Sequence, residues 1–319
     1  MAKILNSKAE RKAKLAPPQE AFSLVSNEKL LAIYTAMVKC RMLEQRATLL
    51  FQQGKLCSDL HASSGREAAS AAIAVDLQPN DSLSIAPGDW LSAFVKGMPL
   101  ENLFQTLAYS SAHLNGQPAP TPADPEQKNI LTGDDTHRPE SVREHALAAQ
   151  AAKEGAIVIA ILPSAEDALK PWHSVMAAAA SQKLPVVFVH YAESQPGETL
   201  ARGKAKNPEA LFHGVPGIAV DASDAVAVYR VSYEAIIRAR QARGATLLQC
   251  AARTAGSDPA GAEKSTTSAN QSLSTDPVSA MENYLKRKGI EPEQHNLATV
   301  AAFNRDLELA TRFLDHQSK

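Results

Sequence analysis

The sequence predicts a doubly wound α/β fold built on a mostly parallel sheet, and three observations support this. Two apolar segments, 156–162 and 183–193, flank one helical stretch, which is typical of neighbouring buried parallel strands. Two more short apolar segments, Gly217–Asp221 and Thr246–Ala251, flank another helical stretch. Helices and strands therefore alternate along the chain, so helices are expected to cover both faces of one sheet.

The N-terminal half is predicted to add a layer of helices to this sheet. Ser26 is a suitable N-cap for a long helix over 27–53, and Gly54 is a natural residue to end it. The pattern then predicts, in order, an alanine-rich helix over 67–75, a strand over 81–86, and helices near 88–97 and 100–110.

Three connections are predicted to be irregular. Five prolines between residues 115 and 139 argue against a regular element there and indicate an exposed linker. The polar segment 194–210 is predicted to be a loop, and the Ser/Thr/Ala/Gly-rich segment 255–275 to be flexible. The remaining predicted helices lie near 140–153, from Ser223 as N-cap to about 243, from Asp276-Pro277 onward, and over 296–315.

The expected organisation is a basic flexible arm (1–25), one α/β domain (26–290) and a C-terminal helix (291–319). A net charge of −1 and 5% aromatic residues argue against a nucleic-acid or membrane-surface partner. No apolar run reaches the ~18 residues of a membrane span. The three scattered cysteines, Cys40, Cys57 and Cys250, are expected to be thiols, which predicts a cytoplasmic location.

The predicted carboxyl ends of the strands lack the residues that would bind a cofactor. Ligands of open parallel sheets bind at these ends. Here the ends carry Pro163-Ser164-Ala165 and Ala192-Glu193, without a Gly-rich turn or an Asp/Asn pair suited to a magnesium diphosphate. The sequence therefore predicts the framework of a cofactor enzyme without its cofactor chemistry.

The chain resembles the alpha subunit of the thiamine-diphosphate-dependent 2-oxo acid dehydrogenase decarboxylating component, of the pyruvate or branched-chain type. One matching block is His61-Ala-Ser-Ser-Gly-Arg66-Glu67-Ala68, where the family has a His-x-x-x-Gly-Gln-Glu-Ala pattern. Further matches follow in the family's order at 30–44, 53–55, 96–101, 183–189, 213–221 and 276–277. The resemblance implies the thiamine-diphosphate-binding type of sheet.

The positions that would bind the cofactor in this family are altered. By the resemblance, the Gly-Asp-Gly magnesium motif falls on Pro163-Ser164-Ala165, and the Asn that completes the metal site falls on Glu193. The Tyr-Arg-x-His segment that holds the diphosphate falls on 87–90, which includes Gly88 and Asp89. A neutral hydroxyl is a poor replacement for a carboxylate, because Mg²⁺ prefers hard anionic oxygen ligands.

Two further parts of the family's site are also replaced. The Gly-rich segment before the first of these strands corresponds to 138–145 here, which begins with Arg138 and Pro139. The family's regulatory and active-site loop falls in 252–275, and no histidine occurs between His213 and His295.

The leading hypothesis is a non-catalytic alpha-subunit-like protein that uses no cofactor, although the family uses thiamine diphosphate and Mg²⁺. It would be a structural or regulatory subunit that pairs with a beta-type subunit, as in a heterotetramer, or with itself as a homodimer. The resemblance leaves His173, Glu67 and His61 as weak catalytic candidates. For Glu67 and His173, a role in packing or pairing is the preferred interpretation.

Two alternatives stay open. The first is a working 2-oxo acid dehydrogenase that transfers an acyl group to lipoyl acceptors and uses a rearranged metal site around Glu193 and Asp167. The second is a binding module for another small anion at the same crevice.

Overall fold

A computed structural model describes residues 25–57, 66–86, 88–109, 129–192, 213–251 and 276–315. Several positions considered above lie outside the described residues: the basic arm up to residue 24, His61, Glu193, and the segments 194–210 and 255–275.

The described residues form one six-stranded sheet in the order β2-β1-β3-β4-β6-β5. All of its pairings are parallel. The strands are β1 (Ser82–Ser84), β2 (Ile130–Leu131), β3 (Val158–Ile161), β4 (Val186–Ala192), β5 (Gly217–Asp221) and β6 (Thr246–Ala251). The parallel sheet predicted from the apolar segments is therefore confirmed.

The helices in the same ranges are α1 (Asn27–Gln52), α2 (Arg66–Ala74), α3 (Trp90–Lys96), α4 (Leu100–Tyr109), α5 (Arg138–Ala152), α6 (Trp172–Gln182), α7 (Ala225–Arg240), α8 (Pro277–Arg287) and α9 (Pro292–Thr311). Short 3₁₀ turns cover Glu166–Leu169 and Arg312–Asp315.

Alternate residues of the central strands face two different helical layers. Ile159 and Ile161 of β3 belong to the larger apolar core, which also contains buried residues of α1, α2 and α7. Val158 and Ala160 of the same strand belong to a second core formed with α5 and α6. Both sides of the strands are buried, which explains why their sequences read as continuous apolar runs.

Two predicted helix starts are confirmed by their capping contacts. The side chain of Ser26 accepts a hydrogen bond from the backbone N–H of Lys29 over 3.2 Å, as expected for an N-cap. Asp276 accepts from the backbone N–H of Ser279 over 2.9 Å, and Pro277 occupies the first turn of α8.

The linker prediction for 115–139 was wrong at its C-terminal end, because β2 and the start of α5 lie there. Pro139 is at the beginning of a helix, where a missing N–H costs nothing, so it starts α5 instead of preventing it.

The predicted N-cap of α7, Ser223, was also wrong by one residue: Asp224 accepts hydrogen bonds from the N–H groups of Val226 and Ala227. The last helix begins at Pro292 and not at residue 296.

Candidate functional site

The order in which strands are added to the sheet reverses between β1 and β3. These strands are neighbours, but β1 is followed by β2 on one side and β3 by β4 on the other. Such a switch point opens a crevice at the carboxyl ends of the two strands, and open α/β sheets bind their ligands there. The candidate functional site is therefore the crevice between Ser84, which ends β1, and Ile161, which ends β3.

A buried arginine joins the two strands at this crevice. Arg138, the first residue of α5, is only 1% exposed. Its Nε donates to the hydroxyl of Ser84 over 3.2 Å, and its Nη2 donates to the carbonyl oxygen of Ile161. The guanidinium therefore occupies space between the strand ends that a bound ligand would otherwise fill.

The charge of Arg138 is balanced within the protein. Its Nη1 donates to the half-buried carboxylate of Asp135, three residues earlier. Its guanidinium also lies over the ring of Trp172, with 5.0 Å between Cζ and the ring centroid. Burial lowers the pKa of Arg138, and Asp135 opposes that shift. Removing any of these partners would leave a buried charge less well compensated, which is costly in the interior of a protein.

A second arginine lies beside Ser164, just beyond the carboxyl end of β3. Arg66, the first residue of α2, is half-buried, and its Nη2 is 3.3 Å from the Ser164 hydroxyl oxygen. Its guanidinium lies over the ring of Tyr191 in β4, with 4.9 Å between Cζ and the ring centroid. Cations therefore approach the crevice from both α2 and α5.

Asp89 faces both arginines from α3. It is 7% exposed, its Oδ1 is 3.4 Å from the Ser92 hydroxyl, and its Oδ2 is buried without a hydrogen-bond partner. Burial raises the pKa of Asp89 to about 6, although the charges of Arg66 and Arg138 and hydrogen bonds from Ser92 favour its ionised form. A carboxyl group in this state exchanges its proton near neutral pH.

Two hydroxyl groups complete this cluster. Tyr191 is 5% exposed and Ser70 is fully buried; their hydroxyls lie next to each other, and neither has a hydrogen-bond partner outside this pair. Burial raises the pKa of Tyr191 well above its ordinary value, with a smaller contribution from the charge of Asp89. Both groups are therefore neutral donors at physiological pH.

The described residues around Ser164 are a poor match for a magnesium diphosphate. A cation liganded by residue 164 would require an oxygen that is free to coordinate, but the Ser164 hydroxyl faces the guanidinium of Arg66. Two like charges would then lie within a few ångströms of each other in a partly buried site. No cluster of three or more His, Cys, Asp or Glu residues suited to a metal ion occurs in the described ranges.

The predicted catalytic candidates that can be placed lie elsewhere or are already paired. Glu67 is 2% exposed and forms an ion pair with Arg41 of α1. His173 is exposed in the first turn of α6, and its ring centroid lies 4.3 Å from that of His213.

Gly88, one of the altered cofactor positions, precedes Asp89 and has a φ of 87°, a left-handed conformation that favours glycine.

Sequence reasoning did not assign roles to Arg66, Arg138, Tyr191 or Ser70. One signal was present for Arg66, because the family pattern has Gln at that position. Another was present for Arg138, because a long cationic residue stands where the family has a Gly-rich segment. Tyr191 and Ser70 carried no such signal, since their roles depend on contacts between distant elements.

The sheet and its crevice define an open α/β protein whose switch point is occupied by its own charged side chains. The sequence profile of the family described as "Dehydrogenase E1 component" matches residues 34–312. The chain therefore belongs to the dehydrogenase E1 component family, whose cofactor is thiamine diphosphate.

Individual relatives agree with this assignment. The chain is 26% identical over 305 residues to the pyruvate dehydrogenase E1 component subunit alpha of Staphylococcus aureus, covering 92% of this chain and 80% of that protein. The corresponding protein of Staphylococcus epidermidis is 25% identical over 307 residues, with the same two coverages.

Among solved structures, benzoylformate decarboxylase from Polynucleobacter necessarius matches with a TM-score of 0.36 and 10% identity. That match covers 60% of this chain and only 33% of the decarboxylase, so the matched part spans about a third of that structure. The described helices include none that is long and apolar enough to cross a membrane.

Proposed function

We propose that this protein is a non-catalytic member of its family, an alpha-subunit-like protein that has lost the half-site for magnesium and diphosphate. The observation that carries the proposal is the guanidinium of Arg66 beside Ser164, where the family's metal-binding carboxylate falls. Arg138 supports it independently, because its side chain lies between the carboxyl ends of β1 and β3.

The size of the expected loss can be compared with ordinary affinities. One charge-assisted hydrogen bond to phosphate contributes roughly 1.5–3 kcal/mol, and an anionic metal ligand contributes at least as much. Two or three such losses amount to roughly 4–8 kcal/mol, or about 10³- to 10⁶-fold in affinity. A micromolar site would therefore bind in the millimolar range or more weakly.

The alternative of a working enzyme has less support. It requires Asp167 to contribute to a rearranged metal site, but the side chain of Asp167 is 95% exposed and forms an ion pair with Lys170 over 2.8 Å. A carboxylate in that environment has no buried partner that would direct it toward a metal.

The proposed role is structural or regulatory, in an assembly with a beta-type subunit or with a second copy of this chain. The match to the E1 alpha relatives over 92% of this chain supports this role. Size-exclusion chromatography with light scattering, with and without a separately expressed beta-type subunit, measures the assembly. We expect a heterotetramer or a homodimer, and a monomer under both conditions would contradict the proposal.

Calorimetric titration with thiamine diphosphate and Mg²⁺ tests the loss of the half-site. We expect no saturable binding below the millimolar range, either for the chain alone or for its assembly. Tight stoichiometric binding would overturn the proposal. An assay with pyruvate or branched-chain 2-oxo acids and an artificial electron acceptor adds a second readout, in which we expect no turnover above background.

A further inference from the structure

We propose that the crevice beside Ser164 binds a small oxyanion, a carboxylate or a phosphate, directly on the guanidinium of Arg66 and without a metal ion. This inference rests on the proposed function, since it requires a crevice that does not hold the family's metal and cofactor. It extends that function, because it assigns a ligand class to the altered site.

Arg66 is the cation in the crevice with the weakest internal pairing. Arg41, Arg138, Arg143 and Arg240 each have a carboxylate oxygen within 4.0 Å. In the part of the chain that the structure describes, Arg66 has no such ion pair, and its contact with the Ser164 hydroxyl is 3.3 Å long. A contact of that length is near the limit of a hydrogen bond and is easily exchanged for a charged acceptor.

The surroundings of Arg66 hold its guanidinium in one orientation. The Tyr191 ring lies against it, and stacking on an aromatic face fixes the plane while leaving the N–H edge available. A guanidinium edge presents parallel donors that match the two oxygens of a carboxylate or phosphate.

Buried groups without partners provide an independent reason to expect a ligand. The hydroxyls of Tyr191 and Ser70 are both more than nine-tenths buried and lie next to each other, and neither has a partner outside this pair. At most one of the two O–H groups can donate to the other, so at least one buried donor lacks an acceptor, which is costly enough that proteins usually satisfy it. An oxyanion on Arg66 would bring acceptor oxygens into this cluster.

A bound anion would have to compete with nearby carboxylates for the charge of Arg66. Arg66 and Arg138 are balanced by Asp89 and Asp135, and Asp135 is already paired with Arg138. Asp89 faces Arg66 without forming an ion pair with it, so a bound anion would compete with Asp89 for that charge. Neutralising Asp89 should therefore strengthen anion binding, whereas neutralising Arg66 should weaken it.

The test uses the full chain after treatment with a metal-chelating resin, at constant ionic strength. Inorganic phosphate and acetate are titrated separately and followed by thermal shift and calorimetry. We expect saturable binding of at least one of them. Arg66→Gln is expected to weaken it by about tenfold or more. Asp89→Asn is expected to tighten it, and the exposed control Arg143→Gln is expected to leave it unchanged.

Phosphate binding alone would identify a phosphate ligand, and acetate binding alone would identify a carboxylate. The proposal is overturned if neither anion binds, if Arg66→Gln binds as well as the natural protein, or if binding requires Mg²⁺. Arg66→Lys keeps the charge and is expected to retain part of the affinity, which separates loss of the site from loss of the fold. The titration with thiamine diphosphate is a separate experiment, so failure of the anion site leaves the proposed function standing.

Discussion

The Nε of Arg138 donates to the hydroxyl of Ser84 over 3.2 Å, at the switch point between β1 and β3 where the strand order reverses. The two residues are 54 positions apart, and a third contact from the same guanidinium reaches the end of β3. In an open α/β sheet this place normally receives a ligand. Here a side chain of the protein links the strands that a ligand would otherwise bridge.

Arg138→Met is expected to lower the free energy of unfolding by about 3 kcal/mol or more. The substitution leaves the half-buried Asp135 without its cation and the buried Ser84 hydroxyl without its donor. Urea unfolding followed by circular dichroism measures the change. Arg143→Met on the same helix is the control: Arg143 forms an exposed pair with Glu140, so it should cost less than about 1 kcal/mol. Equal effects of the two substitutions would contradict the structural role of Arg138.

Asp89→Asn is expected to stabilise the protein at pH 7 to 8 by about 1–3 kcal/mol. Burial raises the pKa of Asp89 to about 6, from an ordinary value near 3.9. Between those values the folded state binds more protons than the unfolded state. Stability from the protonated group is thus fully present below about pH 4 and is lost as the pH rises through about 6.

Urea unfolding at several pH values tests this prediction, because the stabilising effect should disappear toward pH 4. Asp135→Asn is the matched control in the same crevice. It is expected to destabilise the protein at pH 7, because it leaves the buried Arg138 without a carboxylate. A gain from Asp89→Asn that does not depend on pH would argue against a buried, titrating carboxyl group.

Arg41→Met is expected to destabilise the protein by about 3–5 kcal/mol. Arg41 of α1 pairs with the buried Glu67 of α2 and with Asp276, the N-cap of α8. Burial would raise the pKa of Asp276, but hydrogen bonds from Arg41 and Ser279 outweigh it and lower that pKa to about 2. The substitution therefore removes the ion pair that Arg41 forms with the buried Glu67.

Glu67→Gln in the Arg41→Met background is expected to restore part of the lost stability, because it removes the buried charge that Arg41 no longer balances. A double-mutant cycle measured by urea unfolding gives the coupling between the two residues. Simple additivity of the two substitutions would show that the ion pair does not hold α1 and α2 together.

His173→Gln is expected to raise the pKa of His213 toward its ordinary value. The pKa of His213 is lowered first by burial and second by the charge of His173, whose ring centroid is 4.3 Å away. The substitution removes only the second cause, so the pKa should recover in part. Titration of the imidazole protons by NMR measures it, with His145→Gln as the control. An unchanged pKa would mean that the two rings do not interact in solution.

Much of the fold could be predicted from local patterns. The apolar runs of β3 and β4 and the caps at Ser26 and Asp276 depend on residues close together in the chain. These signals survive because burial of both sheet faces and satisfaction of helix ends impose the same residue types in any such fold. The two-residue strand β2 could not be predicted, because it is too short to show a period.

The candidate site was only partly predictable. Ser164 in place of the family's Asp pointed to an altered site, and the structure places Ser164 at the crevice beside Arg66. Nothing local connected Arg66 or Arg138 with that crevice. From the sequence, an arginine at the end of a helix is expected to be a solvated cation, whereas Arg138 is buried in the structure.

The sequence by itself determined the alternation of helices and strands, and through the resemblance it predicted that a hydroxyl replaces the family's carboxylate at position 164. Only the tertiary structure decided which cations occupy the switch point. Arg66 meets Ser164 across 98 positions of the chain, and that meeting depends on the order of the strands. Local periodicity determines which residues are buried. The strand order determines which distant side chains share a crevice, and it results from the packing of the whole sheet.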